Sequence, residues 1–239
     1  MMGYYTNMEW GRSALMIIDM QYDFVEEGGA AHIKGTQEIV PEIRDMANTY
    51  RSFHRPVIHV VRLYQDDGSN VDVCRKHLIQ KGRRIVSPGS KGARVVSELL
   101  PEKPMHIGDG ELIKGGVHRL SDFDFMLYKP RWGAFYHTVL EEWLMAHGVN
   151  SLLVAGCNFP NCPRTSMYEA SERDYRLAIV PSAISGIYPQ GIKELEGIGV
   201  NVYGPEELRN AMEQECAPKL GGDDPVGPLR TADKNPMGT

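Results

Sequence analysis

The sequence has little that would suit a membrane, a nucleic acid or a structural zinc ion. No apolar run approaches the roughly 20 residues that a membrane-spanning helix needs. With a net charge of -5 and no dense run of lysine and arginine, the chain does not indicate nucleic acid or an anionic membrane surface as a partner. No apolar, signal-like segment opens the chain, so we expect a cytoplasmic protein.

Cysteine is scarce as well. The four cysteines, at positions 74, 157, 162 and 216, form no CxxC pair and no Cys/His spacing typical of a zinc site. In a reducing cytoplasm we expect them to be free thiols. These spacings predict no zinc site, and we also expect no cofactor.

The chain also lacks a recognisable linker or internal repeat. Its 239 residues, 42% of them hydrophobic and 24% charged, suffice for one sizeable core. We assign residues 1–11 to an N-terminal extension, 12–216 to a single domain, and the Gly- and Pro-rich residues 217–239 to an extended or disordered tail. Residues 63–122 carry few periodic patterns, so we expect short elements there that cover a functional site.

Short apolar runs alternate with helix-period segments along the chain. The runs are continuous, which is typical of strands that are covered on both faces. Six strands are predicted, at 14–18, 57–61, 125–128, 152–155, 177–180 and 200–203, and helices at 36–53, 138–147, 163–173, 189–199 and 205–216. This order predicts an α/β fold: one three-layer α/β/α domain around a six-stranded, mostly parallel, Rossmann-like sheet.

Polar side chains follow three of these strands. Asp19 and Lys129 come directly after the first and third strands, and Cys162 follows a short turn after the fourth. Because parallel strands bring their carboxyl ends to one edge of a sheet, we expect the three side chains to meet. With Pro163 at the first helical position, Cys162 would be the N-cap, where a thiolate is stabilised as a nucleophile. Asp19 can then carry the proton, and Lys129 can stabilise both anions.

Each of these residues, taken singly, also has an ordinary structural interpretation. Cys162 could be a core cysteine, Asp19 a turn or capping residue, and Lys129 a surface lysine. Their joint placement at three strand ends favours a catalytic role. The candidate substrate-binding residues are nearby aromatic and cationic side chains, namely Phe24, Arg62, Tyr64, Arg131, Trp132, Phe135 and Phe159. We expect the phenylalanines and Trp132 to wall a pocket, and the other three to grip a carboxylate or carbonyl.

Three segments carry a more specific pattern. They are Asp-Met-Gln-Tyr-Asp-Phe at 19–24, Lys129 with Arg-Trp-Gly-Ala-Phe at 131–135 and Thr138, and the stretch 156–165 around Cys162. With these segments the chain resembles the isochorismatase-like cysteine hydrolase superfamily over roughly residues 12–215. The resemblance implies a catalytic triad of Asp19, Lys129 and Cys162. It also implies a cis peptide bond between Cys157 and Asn158, and an oxyanion hole made by the backbone N–H groups of Asn158 and Cys162.

The resemblance further implies hydrolysis of a small amide, carbamoyl or ureido compound through a thioester at Cys162, in a homodimer or homotetramer. The key turn departs from the common family pattern, Gly-Val-x-Thr-x-x-Cys-Val, because residues 156–163 read Gly-Cys-Asn-Phe-Pro-Asn-Cys-Pro. We therefore expect an altered pocket floor and do not transfer a particular substrate. The Asp-x-His metal motif of the nicotinamidase branch is missing from residues 62–67, which again predicts no metal. His59 lies within a predicted strand, where a core role is expected.

Two other functions remain open from the sequence. One is an isochorismatase-type vinyl ether hydrolase that uses Asp19 as an acid and needs no thiol. The other is a non-catalytic homologue with a sensing or interaction role. The presence of the acid, the lysine and the cysteine together favours the amidohydrolase.

Overall fold

The computed structural model describes residues 5–216, which form a seven-stranded sheet between two layers of helices. The strands are β1 (Ser13–Ile18), β2 (Val57–Val61), β3 (Val117–Arg119), β4 (Asp124–Tyr128), β5 (Ser151–Gly156), β6 (Arg176–Ile184) and β7 (Asn201–Val202). Their order across the sheet is β3-β4-β2-β1-β5-β6-β7. Neighbouring strands run parallel except β3, which is antiparallel to β4.

The central strand shows why the apolar runs form a sheet that is buried on both faces. All six residues of β1 are buried. Leu15 and Ile17 pack into the core on one side of the sheet, whereas Met16 and Ile18 pack into the core on the other side. Because successive side chains of a strand point to opposite faces, a continuous apolar run fills both cores. Each such fully buried side chain contributes about 1.5–3 kcal/mol of transfer free energy.

The helices divide between the two faces. They are α1 (Tyr22–Val25), α2 (Val40–Ser52), α3 (Val73–Gln80), α4 (Asp109–Ile113), α5 (Leu140–Ala146), α6 (Cys162–Ser171), α7 (Pro189–Gly197) and α8 (Pro205–Cys216). Two 3-10 turns, Trp10–Arg12 and Ser97–Leu99, complete the order. Ile43 of α2 and Met212 of α8 join one core, and Leu140 of α5, Met167 of α6 and Leu195 of α7 join the other. The predicted single α/β/α domain is confirmed.

The predicted strand number is wrong by one. The additional strand is β3, whose three residues include His118 and Arg119 and therefore lack the apolar run that marks the others. The predicted helix at 36–53 begins later, at Val40, and the one at 138–147 begins at Leu140. Residues 63–122 contain only short elements: α3, one 3-10 turn, α4 and β3.

The two ends of the chain differ in what can be described. Of the predicted extension, residues 5–11 are described, and Trp10 is buried with its ring edge-on to Tyr203, 5.3 Å between centroids. The predicted tail, 217–239, lies outside the described residues. Within residues 5–216 no helix combines the length and apolar character needed to cross a bilayer.

Candidate active site

The carboxyl ends of neighbouring strands bring the predicted polar residues to one edge of the sheet. Asp19 follows β1, Arg62 follows β2 and Lys129 follows β4, while Cys157 follows β5. Since these strands are adjacent in the order β4-β2-β1-β5, Arg62 lies at the strand end between those of Asp19 and Lys129. The parallel sheet therefore gathers an acid, two cations and a thiol from four distant parts of the chain.

Gly156 allows the turn after β5 to approach β1 closely. Its φ is +115°, and a Cβ atom there would lie 2.2 Å from the carbonyl oxygen of Ile18. The next residue, Cys157, donates its backbone N–H to that same oxygen at 3.0 Å. The thiol of Cys157 donates to the carbonyl oxygen of Asp19 at 3.1 Å. The peptide bond between Cys157 and Asn158 is cis, as the family resemblance implies.

Asp19 and Lys129 form a buried ion pair. Lys129 Nζ lies 2.9 Å from Asp19 Oδ2, and the two side chains are 0% and 5% exposed, respectively. Lys129 also donates to the carbonyl oxygen of Arg131 at 3.2 Å. The other carboxylate oxygen, Asp19 Oδ1, is buried and has no hydrogen-bond partner within residues 5–216. Of the two carboxylate oxygens, only Oδ2 is therefore held by a cation.

The backbone of Asp19 is itself unusual. Its φ is +54°, in the left-handed region that few non-glycine residues occupy. Such conformations cost of order 1–3 kcal/mol and occur preferentially at functional sites. Asp19 adopts this conformation in the turn between β1 and α1, where its carboxylate lies beside Lys129.

Cys162 is the first residue of α6, and Asn161 is its N-cap. The prediction that Cys162 is the N-cap is thus wrong by one residue, because Pro163 occupies the second helical position rather than the first. The thiol is buried, and its pKa is raised to about 12, first by burial and then by the negative charge of Asp19. Lys129 and Arg62 lower it without offsetting these effects. At neutral pH this thiol is therefore protonated, and it would need a base in order to act as a nucleophile.

Two backbone N–H groups beside the thiol are available to an oxyanion. Neither the N–H of Asn158 nor that of Cys162 donates to an acceptor in the part of the chain that the structure describes. By contrast, the intervening Phe159 N–H is used, since it donates to Ser185 at 2.8 Å. Free N–H groups at a helix start attract negative charge.

The reactive groups border one small cavity of about 10 Å³. That volume holds roughly one water molecule. The lining residues are Asp19, Phe24, Ile33, Arg75, Cys157, Asn158 and Cys162. Of the seven predicted substrate-binding residues, Phe24 is the one that lines this cavity.

Arg62 and Tyr64 lie beside the site in a buried network. Arg62 Nη2 contacts Asp72 Oδ2 at 2.5 Å, and the Tyr64 hydroxyl donates to the same oxygen at 2.7 Å. The Tyr64 hydroxyl also accepts from Arg62 at 3.2 Å and from Arg75 at 3.0 Å. Burial raises the pKa of Tyr64 to about 12, so it remains a neutral donor. These two residues hold Asp72 rather than facing the cavity.

The other predicted substrate-binding residues also lie outside the cavity lining. Arg131 donates to the backbone oxygens of Asn70 and Pro130. Trp132 faces the guanidinium of Arg75, and Phe135 faces that of Arg173. Phe159 is fully buried in the core beneath α7.

A model of the isochorismatase domain matches residues 13–196. The chain belongs to the isochorismatase family. It is 32% identical over 196 residues to a probable inactive nicotinamidase of Arabidopsis thaliana, covering 80% of this chain and 91% of that protein. It is 24% identical over 196 residues to a ureidoacrylate amidohydrolase of Stutzerimonas stutzeri, covering 77% and 73%. The structure of an isochorismatase family protein from Desulfovibrio vulgaris superposes with a TM-score of 0.72 at 30% identity, covering 84% and 98%.

This membership confirms the family that the sequence motifs indicated. It fits the observed sheet with helices on both faces, and it makes the chain a member of a hydrolase family. The matched region contains Asp19, Lys129 and Cys162, but no comparison assigns a role to an individual residue. Their roles are inferred from the geometry above.

Three further residues of the site escaped prediction. Arg75 and Ile33 line the cavity although neither follows a strand. Gln21 joins two segments over the site, because its amide donates to the carbonyl oxygens of Arg62 and Ala93, both at 2.7 Å. Gln21 lies within the segment 19–24 that carries the family resemblance, but the sequence offers no signal for Arg75 or Ile33, because their place at the cavity depends on how loops fold over the sheet.

No three His, Cys, Asp or Glu side chains within the described range lie close enough to hold a metal ion. The expectation of a metal-free and cofactor-free protein stays a prediction. His59 is buried in β2, and its Nε2 lies 3.2 Å from Asp124 Oδ1. Its contact is thus with a core carboxylate.

Proposed function

We propose that the protein is a cysteine hydrolase that cleaves the C–N bond of a small amide, carbamoyl or ureido compound through a thioester at Cys162. The observation that carries the proposal is the pairing of Asp19 with Lys129, which leaves one free carboxylate oxygen at the cavity that Cys162 also borders. A protonated thiol with a pKa near 12 cannot attack unaided, and a free carboxylate oxygen is the base that it needs.

The groups divide the reaction as follows. Asp19 removes the proton from the Cys162 thiol as sulfur attacks the carbonyl carbon, and the C=O electrons move onto oxygen. The N–H groups of Asn158 and Cys162 stabilise that oxyanion. Asp19 then donates its proton to the leaving nitrogen as the C–N bond breaks, which leaves a thioester. Asp19 next takes a proton from water as the water oxygen attacks the thioester carbonyl, and it returns that proton to sulfur as the C–S bond breaks, which releases the acid and restores the thiol.

Lys129 holds Asp19 in position through a buried ion pair, with Nζ 2.9 Å from Asp19 Oδ2. Removing one member of a buried ion pair costs about 3–5 kcal/mol. Lys129 is fully buried, so solvent does not screen its charge and the attraction to Asp19 is strong.

The names of the relatives point in two directions. One relative is a ureidoacrylate amidohydrolase, which supports C–N hydrolysis of a ureido compound. Another is described as a probable inactive nicotinamidase, which, together with the small cavity, favours a non-catalytic homologue as the second candidate. The two candidates differ in whether Cys162 forms a thioester with a substrate and is then released by hydrolysis.

The test is ammonia release from a panel of small amides, carbamates and ureido compounds. We expect turnover of at least one compound, its complete loss in Cys162→Ala, and unchanged turnover in Cys74→Ala, which removes an exposed thiol. A vinyl ether hydrolase acting through Asp19 would instead keep its activity in Cys162→Ala. No turnover of the whole panel, with Cys162 shown to be reduced by mass spectrometry, would favour the non-catalytic candidate.

A further inference from the structure

Arg75 brings a positive charge to the candidate active site from outside the sheet. It lies in α3, within residues 63–122, and borders the same cavity as Asp19 and Cys162. Its side chain is half-buried. The mechanism proposed above makes no use of it.

The charges around the cavity leave Arg75 unbalanced. Lys129 is paired with Asp19 and Arg62 is paired with Asp72. Arg75 has no acidic partner among residues 5–216. A partly buried guanidinium without a counter-ion favours the binding of an anion at that place.

Arg75 is also held in position. Its Nη1 donates to the Tyr64 hydroxyl at 3.0 Å, and its guanidinium carbon lies 4.8 Å from the centre of the Trp132 ring. Tyr64 is fixed in turn by its hydrogen bond to Asp72. Cation–π stacking and one hydrogen bond orient the guanidinium, while its other N–H groups have no protein acceptor in the described chain. A preorganised fork of donors suits a carboxylate.

We propose that Arg75 binds a carboxylate of the substrate and makes the enzyme selective for small anionic amides, such as ureido acids. The inference rests on the proposed function for the reacting group and adds the charge of the substrate. Because Arg75 and Cys162 border one small cavity, the carboxylate lies only a few bonds from the carbon that is attacked.

The first experiment needs no turnover. Iodoacetate and iodoacetamide are nearly equal in size and differ in charge, so the ratio of their alkylation rates at Cys162 reports the local preference for an anion. Rates are measured at pH 9 by mass spectrometry of the Cys162 peptide. The intrinsic ratio comes from the same thiol in guanidinium-unfolded protein. We expect the iodoacetate-to-iodoacetamide ratio to be about 10-fold higher in the folded than in the unfolded protein.

Matched variants identify the cation responsible. Arg75→Gln should lower the ratio about 10-fold, and Arg75→Lys should keep most of it. Lys76→Gln removes the neighbouring exposed charge of the same helix and should leave the ratio within about twofold. A ratio in Arg75→Gln equal to that of the unmodified protein overturns the proposal.

A turnover experiment separates this proposal from the proposed function. For a ureido acid such as 3-ureidopropionate, Arg75→Gln should raise KM about 10- to 100-fold with little change in kcat. For the neutral analogue n-propylurea, KM should not change. Hydrolysis of both compounds without any effect of Arg75→Gln would leave the hydrolase intact and refute the carboxylate site. A lower alkylation ratio in Arg75→Gln, without hydrolysis of either compound, would support the anion site and contradict the proposed hydrolase function.

Discussion

Removing the charge of Asp19 should make Cys162 more reactive toward alkylation while it destroys turnover. The pKa of Cys162 is about 12, and the negative charge of Asp19 is the largest cause of the increase after burial. At pH 8 only about one thiol in 10,000 is therefore ionised. Asp19→Asn removes this repulsion and leaves Lys129 without its counter-ion.

The size of the effect follows from the charges. Two unit charges about 4 Å apart interact by about 4 kcal/mol at an effective dielectric constant of about 20, which is about three pKa units. The pKa of Cys162 should then fall toward 9, and alkylation at pH 8 should become about 10- to 1,000-fold faster. Turnover should fall about 100- to 10,000-fold, because no group remains to carry the proton.

The assay is the rate of iodoacetamide alkylation at Cys162 from pH 7 to pH 11. A lower pKa moves the rate profile along the pH axis, whereas a cavity that has merely opened raises the rate equally at every pH. Glu27→Gln removes an exposed acid and serves as the control, with an expected profile equal to that of the unmodified protein. A midpoint below pH 9 in the unmodified protein, or slower alkylation of Asp19→Asn at pH 8, would refute the assignment of Asp19 as the base.

Two further predictions concern the stability of the fold. Asp124 is fully buried, and hydrogen bonds from His59 and Arg51 outweigh burial to lower its pKa from 3.8 to about 2. The ionised carboxylate therefore stabilises the fold fully above pH 4, and this stabilisation is lost as the pH falls toward 2. In urea unfolding, Asp124→Asn should be less stable than the unmodified protein by about 2 kcal/mol at pH 7 and by much less at pH 2.5. An undiminished difference at pH 2.5 would contradict this linkage. Gly156→Ala should lower the free energy of unfolding by at least about 2 kcal/mol and impair turnover, because its Cβ would lie 2.2 Å from the Ile18 carbonyl oxygen. Gly148 also has a positive φ but has open space around it, so Gly148→Ala should lower the free energy of unfolding by only about 1 kcal/mol. Equal losses in the two glycine variants would show that the contact with β1 is unimportant.

The sequence could predict the residues that follow buried strands. Asp19 and Lys129 come directly after apolar runs, and parallel strands end at one edge of a sheet, so both residues could be assigned to that edge. The order β4-β2-β1, in which they come within 2.9 Å of each other, is known only from the structure. Arg75 and Ile33 could not be predicted in this way. They reach the cavity through loops and a short helix, whose path depends on side-chain hydrogen bonds such as those of Gln21. The antiparallel β3 escaped because three mixed residues carry no periodicity.

The turn at residues 156–163, which departs from the family pattern, places Phe159 differently from what the sequence predicts. Phe159 was predicted to wall the substrate pocket, yet it is fully buried and its ring meets Tyr188 edge-on at 5.3 Å. A Cβ at Gly191 would lie 2.3 Å from the Phe159 ring, so α7 admits this ring only because residue 191 is glycine. Phe159 thus anchors the segment that carries Asn158 and Cys162 against α7. Under the proposal above, substrate selectivity lies with Arg75 of α3 and not with the turn that carries Cys162.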